Sequence, residues 1–200
     1  MQNVIHIEQN AKTLILVVHE IYGINEQMKM ICTSLAGRGF DVMCPNLLQH
    51  KTAFDYAQEE IAYRHFREEV GFEKAAQFIK SCVREQRARY SSIYLVGFSV
   101  GATIAWLCSG EEGIKGVVGF YGSRIRDYAG ITPSCSVLLF FPEEEPFFSV
   151  DELIAQLKEK EIELYQLPGQ HGFADPYSKK YREESAKIAF QKMDAIFLPD

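Results

Sequence analysis

Long apolar stretches are missing from this sequence: no run approaches the roughly 18 consecutive apolar residues that a membrane-crossing helix requires. Paired cysteines are missing too. The five present, Cys32, Cys44, Cys82, Cys108 and Cys135, stand singly with no C-x-x-C spacing, which argues against a metal ribbon or disulfide framework and for reduced, mostly buried thiols. Positive charge is in deficit, with 21 Lys and Arg against 27 Asp and Glu and a net charge of −6. Such a surface repels phosphate backbones and argues against nucleic acid as a partner. The nearest approach to a basic run, Arg84, Arg87 and Arg89, falls at a helix end, where cations suit the helix dipole. The opening MQNVIHIEQN has no charged segment leading into an apolar one, so no secretory leader is expected and the expected location is cytoplasmic. His19-Glu20 begins an H-E-x-x-H pattern, but position 23 is Gly23. The zinc signature is therefore absent, and neither a metal nor an organic cofactor is expected.

What the sequence has in quantity is core. Hydrophobic residues make up 47% and charged residues 24% of 200 positions, enough apolar surface to offset the ordering of one chain. No linker or repeat breaks residues 1–200, so a single domain is expected. Short β-rich runs alternate with amphipathic segments, the mark of an α/β protein. Strands are predicted at Val4–Ile7, Thr13–Val18, Asp41–Cys44, Ile93–Val96, Lys115–Phe120, Ser136–Phe141 and Ile162–Gln166. Helices are predicted at Glu26–Ala36, across Tyr56–Arg89 with a joint at Gly71, after position 99, at Asp151–Lys160 and at Lys179–Phe197. The unbroken run TLILVV suits a parallel strand buried on both faces. The expected architecture is a doubly wound, mainly parallel sheet with helices on both faces.

Gly97-Phe98-Ser99-Val100-Gly101 is a G-x-S-x-G motif. Chance alone places those three fixed residues in roughly one chain of this length in fifteen, so context decides. IYLV precedes the motif and an apolar helix follows it, the strand–turn–helix setting of a nucleophile elbow. The elbow projects the Ser99 hydroxyl above the sheet edge, and glycine is needed where side chains would strike the neighbouring strand and helix. The helix N-terminus presents backbone N–H groups to a developing oxyanion, Val100 N–H first. Downstream, Pro168-Gly169-Gln170-His171-Gly172-Phe173 sets a histidine on a glycine-flanked loop before the last helix, where a catalytic base follows its nucleophile in chain order. The other histidines fit less well: His6 falls in an edge strand, His65 in a helix and His50 in a polar loop. After SVLLFF comes Pro142-Glu143-Glu144-Glu145-Pro146-Phe147, which offers three carboxylates able to orient His171 and does not choose among them.

The chain resembles the dienelactone hydrolase family of α/β-hydrolases. The resemblance rests on LVVHEIYGIN, GFSVGA, FPEEEPF and LPGQHGFADP, which with the strand order span essentially the whole chain. It implies the compact α/β-hydrolase fold without a cap domain, with Ser99 the nucleophile, His171 the base and Glu145 the acid. Glu20 would contact the resting nucleophile, and Ile21 N–H would join Val100 N–H in the oxyanion hole. Tyr22, Phe98, Tyr121, Phe147 and Phe173 would gather at the mouth as an apolar pocket.

Three departures from the family pattern stand out. Serine replaces the cysteine of the best-known members, and glutamate replaces aspartate as the acid. Asp175 stands where dienelactone-cleaving members place a carboxylate-binding arginine four residues after the histidine, so an anionic substrate would be repelled. Arg64, Arg67, Arg124 and Arg126 are alternatives for that missing cation. The expected activity is hydrolysis of small-molecule carboxylic esters or lactones through an acyl-enzyme, by a monomer or small homo-oligomer without a membrane partner. A thioesterase or peptidase, or a non-catalytic binding protein on the same scaffold, are the rival readings.

Overall fold

A computed structural model describes residues 4–48 and 52–197. Seven strands form one sheet: β1 (Val4–Ile7), β2 (Thr13–Val18), β3 (Asp41–Pro45), β4 (Ser92–Phe98), β5 (Ile114–Phe120), β6 (Ser136–Glu144) and β7 (Glu163–Gln170). Their spatial order is β1-β3-β2-β4-β5-β6-β7. Only β1 runs antiparallel, pairing with β3 at one edge. The mainly parallel, doubly wound arrangement read from the sequence is the one observed. The polar loop expected at His50 lies outside the described residues.

The alternation of side chains along each strand divides the core into two layers. In β2, Leu14, Leu16 and Val18 face one layer, together with Ile79 and Val83 of α3 (Phe72–Gln86), Trp106 of α4 (Val100–Leu107) and Leu153 of α5 (Val150–Leu157). Ile15 and Val17 face the other layer, against Met28 and Leu35 of α1 (Glu26–Ala36) and Met193 and Phe197 of α6 (Glu183–Phe197). The run Leu14–Val18 is wholly buried, which is why it could be apolar at every position.

The predicted 56–89 helical span breaks at its expected joint, Gly71, and its last helix ends at Gln86. A 3-10 turn at Tyr56–Gln58 leads into α2 (Glu59–His65), whose last turn widens into a π-turn at Phe66–Val70. Gly71 then takes φ 73°, a left-handed conformation that favours glycine, and α3 begins. Strand β7 runs four residues beyond its predicted end and carries the chain directly to His171.

Strand order sets the site. Strand β3 lies on one side of β2 and β4 on the other, so the loops leaving the carboxyl ends of β2 and β4 diverge and open a crevice between them. In open α/β sheets ligands bind at such a switch point. Here those two loops carry Glu20-Ile21 and Ser99.

Candidate active site

Ser99 occupies the turn between β4 and α4 at φ 53°, ψ −116°. Few non-glycine residues tolerate that conformation, and it persists only where the surroundings hold it. The holding groups are identifiable: Ser99 N donates to Phe120 O at 2.9 Å, and Ala102 N donates back to Ser99 O at 3.1 Å. Glycine at 97 and 101 is a packing requirement. A Cβ on Gly97 would strike the backbone of Gly101 and Ala102, and one on Gly101 would strike the carbonyls of Val18 and His19.

Chain ends from across the sheet meet Ser99. Ser99 Oγ lies 2.8 Å from His171 Nε2, and His171 Nδ1 lies 2.7 Å from Glu145 Oε1. A histidine between a hydroxyl and a carboxylate has its tautomer fixed: Nδ1 carries the proton and donates to Glu145, leaving Nε2 to accept from Ser99. Of the three glutamates, Glu145 alone turns inward, with a side chain 4% exposed. Glu144 accepts from Gln170 Nε2 at 2.9 Å, and Glu143 is exposed. The β6–β7 register slips between Pro142 and Glu144, an irregularity of the kind that re-aims a side chain at a sheet end. Among the described residues, neither Val100 N–H nor Ile21 N–H donates to a backbone carbonyl outside the regular elements.

These groups line a cleft of about 1290 Å³ that also includes Glu20, Tyr22, Tyr56, Tyr63, Thr103 and Phe147. A second hollow of about 1200 Å³ lies at the amino ends of β5 and β6, but no histidine lines it. Among the described residues no group of three or more His, Cys, Asp or Glu side chains is arranged to hold a metal ion. No described helix is long and apolar enough to cross a membrane.

A profile of the dienelactone hydrolase family matches residues 1–199. The chain belongs to the dienelactone hydrolase family. It is 42% identical over 170 residues to the uncharacterised protein YczH of Bacillus subtilis, covering 84% of this chain and 83% of that one. It is 28% identical over 118 residues to the carboxymethylenebutenolidase of Pseudomonas putida, covering 54% and 50%. Among solved structures, a provisionally named dienelactone hydrolase of Klebsiella pneumoniae superposes with TM-score 0.78 at 20% identity, over 92% of this chain and 85% of that one. An esterase of Pyrococcus furiosus gives 0.68 at 15%, over 98% and 85%. Both structures share the α/β-hydrolase fold. Membership of the dienelactone hydrolase family makes this chain a hydrolase of the ester and lactone class.

Within that family frame, several expected positions sit elsewhere. Tyr22 lines the cleft, and Phe147 stands on its rim 88% exposed. Phe98, Tyr121 and Phe173 are fully buried and do not form the pocket wall. Phe98 stacks on Phe120 in the layer beneath, and the Tyr121 ring packs 5.0 Å from the His171 ring. Strand alternation and the strained φ of 45° at Tyr121 turn these rings inward. Of the three, Tyr121 supports the histidine from below. The Glu20 carboxylate accepts from Tyr121 Oη at 3.3 Å, whereas the Ser99 hydroxyl is engaged by His171, so the expected Glu20–Ser99 contact is replaced by a Glu20–Tyr121 one.

Asp175 is also not on the rim. It is 1% exposed, accepting from Tyr56 Oη at 2.5 Å and Tyr177 N at 2.9 Å. Burial pushes its carboxyl up, against the downward pull of those two hydrogen bonds. Of the four arginines weighed, Arg124 and Arg126 line the cleft. Both are engaged, Arg124 with Tyr63 and Asp127, and Arg126 with Ser123 O and across the Phe148 ring. Tyr56, Tyr63, Thr103 and Phe148 had no local signal in the sequence. The Tyr56–Asp175 bond spans 119 positions, beyond the reach of any motif.

Among the carboxyl groups of the cleft, Glu20 is strongly perturbed. Burial pushes its carboxyl up to about 7; His171 and the Tyr121 hydroxyl pull it down, and Asp175 and Glu59 add to the rise. The native state therefore holds a proton on Glu20 that the unfolded chain releases from about 4.5 upward. Stability conferred by this group is full below that value and is lost as pH rises to about 7. Glu20→Gln keeps the acceptor for Tyr121 and removes the ionisation. Its melting temperature should exceed wild type by an amount worth about 3 kcal/mol near pH 8, shrinking toward zero near pH 4. Thermal unfolding at the two pH values checks this, and a constant difference would contradict it.

Proposed function

We propose that this chain is a serine hydrolase that cleaves carboxylic esters or lactones through an acyl-enzyme. One observation carries the reading: the continuous chain of contacts from Ser99 Oγ through His171 to Glu145, with separations of 2.8 Å and 2.7 Å. Ser99 Oγ attacks the carbonyl carbon as His171 Nε2 takes its proton. The charge that develops on the carbonyl oxygen is met by Val100 N–H and Ile21 N–H. Collapse of the tetrahedral intermediate transfers the Nε2 proton to the departing alkoxide and leaves an ester on Ser99. Water then enters, gives its proton to Nε2, and the second collapse restores the Ser99 hydroxyl and releases the acid. Throughout, Glu145 accepts from Nδ1–H and stabilises the imidazolium that forms twice per cycle. The reading is tested with 4-nitrophenyl acetate: a burst of nitrophenol equal to the enzyme present, with acetate recovered on the peptide containing Ser99. Turnover with acetate on another residue would refute the assignment.

The cleft also constrains which esters fit. Its described lining has seven carboxyl groups, including Glu59, Glu60, Glu143, Glu144 and Asp151, against the cations Arg124, Arg126 and Lys180. A cavity dominated by one sign of charge repels ligands of that sign, and salt screens the repulsion. A hemisuccinate ester should be cleaved at least about tenfold more slowly than its uncharged isostere at low ionic strength, with the gap narrowing as salt rises. Preference for the anionic ester would contradict this.

A further inference from the structure

The mechanism leaves one buried group unused. His19 follows β2 with 1% of its surface exposed, two residues before Ile21, whose N–H is proposed above as the second oxyanion donor. Leu47 N–H donates to His19 Nε2 at 2.9 Å, and His19 Nδ1 stands 2.6 Å from Glu20 O. The first bond dictates the second. An Nε2 that accepts an N–H carries no proton, so in a neutral ring the proton is on Nδ1 and is donated to the Glu20 carbonyl. Burial holds the imidazole neutral by lowering its pKa to about 4.

The Glu20 carbonyl belongs to the same peptide group as Ile21 N–H. That group is planar and trans, so its C=O and N–H point in opposite directions and fixing one fixes the other. Gly23 N also donates to Glu20 O, at 3.2 Å, giving the carbonyl two donors. Donation to a carbonyl also polarises the amide and strengthens its own N–H as a donor. We propose that His19 is a positioning residue for the oxyanion hole, aiming and polarising the Glu20–Ile21 peptide so that Ile21 N–H meets the developing oxyanion. Through Leu47 it keys that peptide to the chain leaving β3, so the hole is set before substrate arrives. The proposal rests on the serine-hydrolase reading above.

The test compares wild type with His19→Phe, which keeps the ring and loses both bonds, and His19→Asn, whose amide can donate where Nδ1 did. The expected result is a fall of about ten- to a hundredfold in kcat for His19→Phe with KM nearly constant, since one misdirected oxyanion donor acts in the transition state. Affinity for an alkyl boronic acid, whose tetrahedral adduct fills the hole, should fall by the same factor, and His19→Asn should recover part of both. Measurements are made well below each variant's melting temperature. Nitrogen-15 shifts of the wild-type imidazole supply a readout that needs no variant: Nδ1 protonated and Nε2 bare across neutral pH.

The proposal is overturned if kcat and boronate affinity are unchanged, if losses follow only the folded fraction, or if the proton is on Nε2. A fluorophosphonate that labels Ser99 equally fast in wild type and His19→Phe overturns the role of His19 alone. One that fails to label wild type at all overturns the hydrolase reading itself.

Discussion

Ser99→Ala should lower kcat on a 4-nitrophenyl ester by on the order of 10⁴-fold or more, and His171→Ala by a comparable factor. The reason is the coupling visible in the 2.8 Å Ser99–His171 contact: a serine hydroxyl is a weak nucleophile until a base removes its proton, and the base has no task without it. The double variant should therefore be no slower than the worse single one. What activity survives should come from binding and from the proposed oxyanion donors, Val100 N–H and Ile21 N–H. Glu145→Gln keeps the shape of the acid but can no longer fix the His171 tautomer, and should cost about 10²- to 10⁴-fold. Glu143→Gln and Glu144→Gln should lose far less, within about tenfold, because neither carboxylate touches His171. Steady-state kinetics on the six variants decides the matter, and multiplicative losses in the double variant would show that Ser99 and His171 act independently.

The largest stability effect is expected at Gly101. A Cβ there falls on the Val18 carbonyl oxygen and within 2.7 Å of the His19 oxygen, and both belong to the backbone at the carboxyl end of β2, which cannot swing aside as a side chain can. Gly101→Ala must push α4 away from β2 or break the turn that holds Ser99. Either way the loss should exceed about 4 kcal/mol, and activity should vanish with it. Gly130 provides the contrast. Nothing lies within 4 Å of a Cβ placed there, and its backbone is not left-handed. Gly130→Ala should stay within about 0.5 kcal/mol of wild type, or gain slightly from a less flexible unfolded chain. Denaturant unfolding of the pair checks the difference, and a Gly101→Ala protein as stable as Gly130→Ala would refute the close packing of the elbow.

The sequence was most legible where local pattern and buried environment agree. TLILVV could be read as a central strand because both of its faces are in the core. The elbow could be read because a strand, a glycine-framed serine and an apolar helix follow one another without a gap. His171 was legible from its glycine neighbours: Gly169 and Gly172 both take left-handed φ, at 125° and 90°. Glu145 was not separable from Glu143 and Glu144 on the residues alone, because the choice is made by a slip in register between β6 and β7, a property of two strands rather than of one segment.

The aromatic pocket misled for a related reason. Phe98 and Tyr121 end strands beside the site, but alternation and backbone strain bury both beneath it. Asp175, expected to face an incoming anion, is instead a buried partner of Tyr56. Which wall of the cleft a side chain joins is decided by contacts far apart in sequence, and no local pattern records them.

Whether Ser99 is an activated nucleophile is read most directly by intact-mass analysis after exposure to an uncharged fluorophosphonate. The expected result is a single adduct, carried by the peptide containing Ser99, formed by wild type and absent from Ser99→Ala. Folded wild-type protein that takes up no adduct, or an adduct that survives Ser99→Ala, would contradict it.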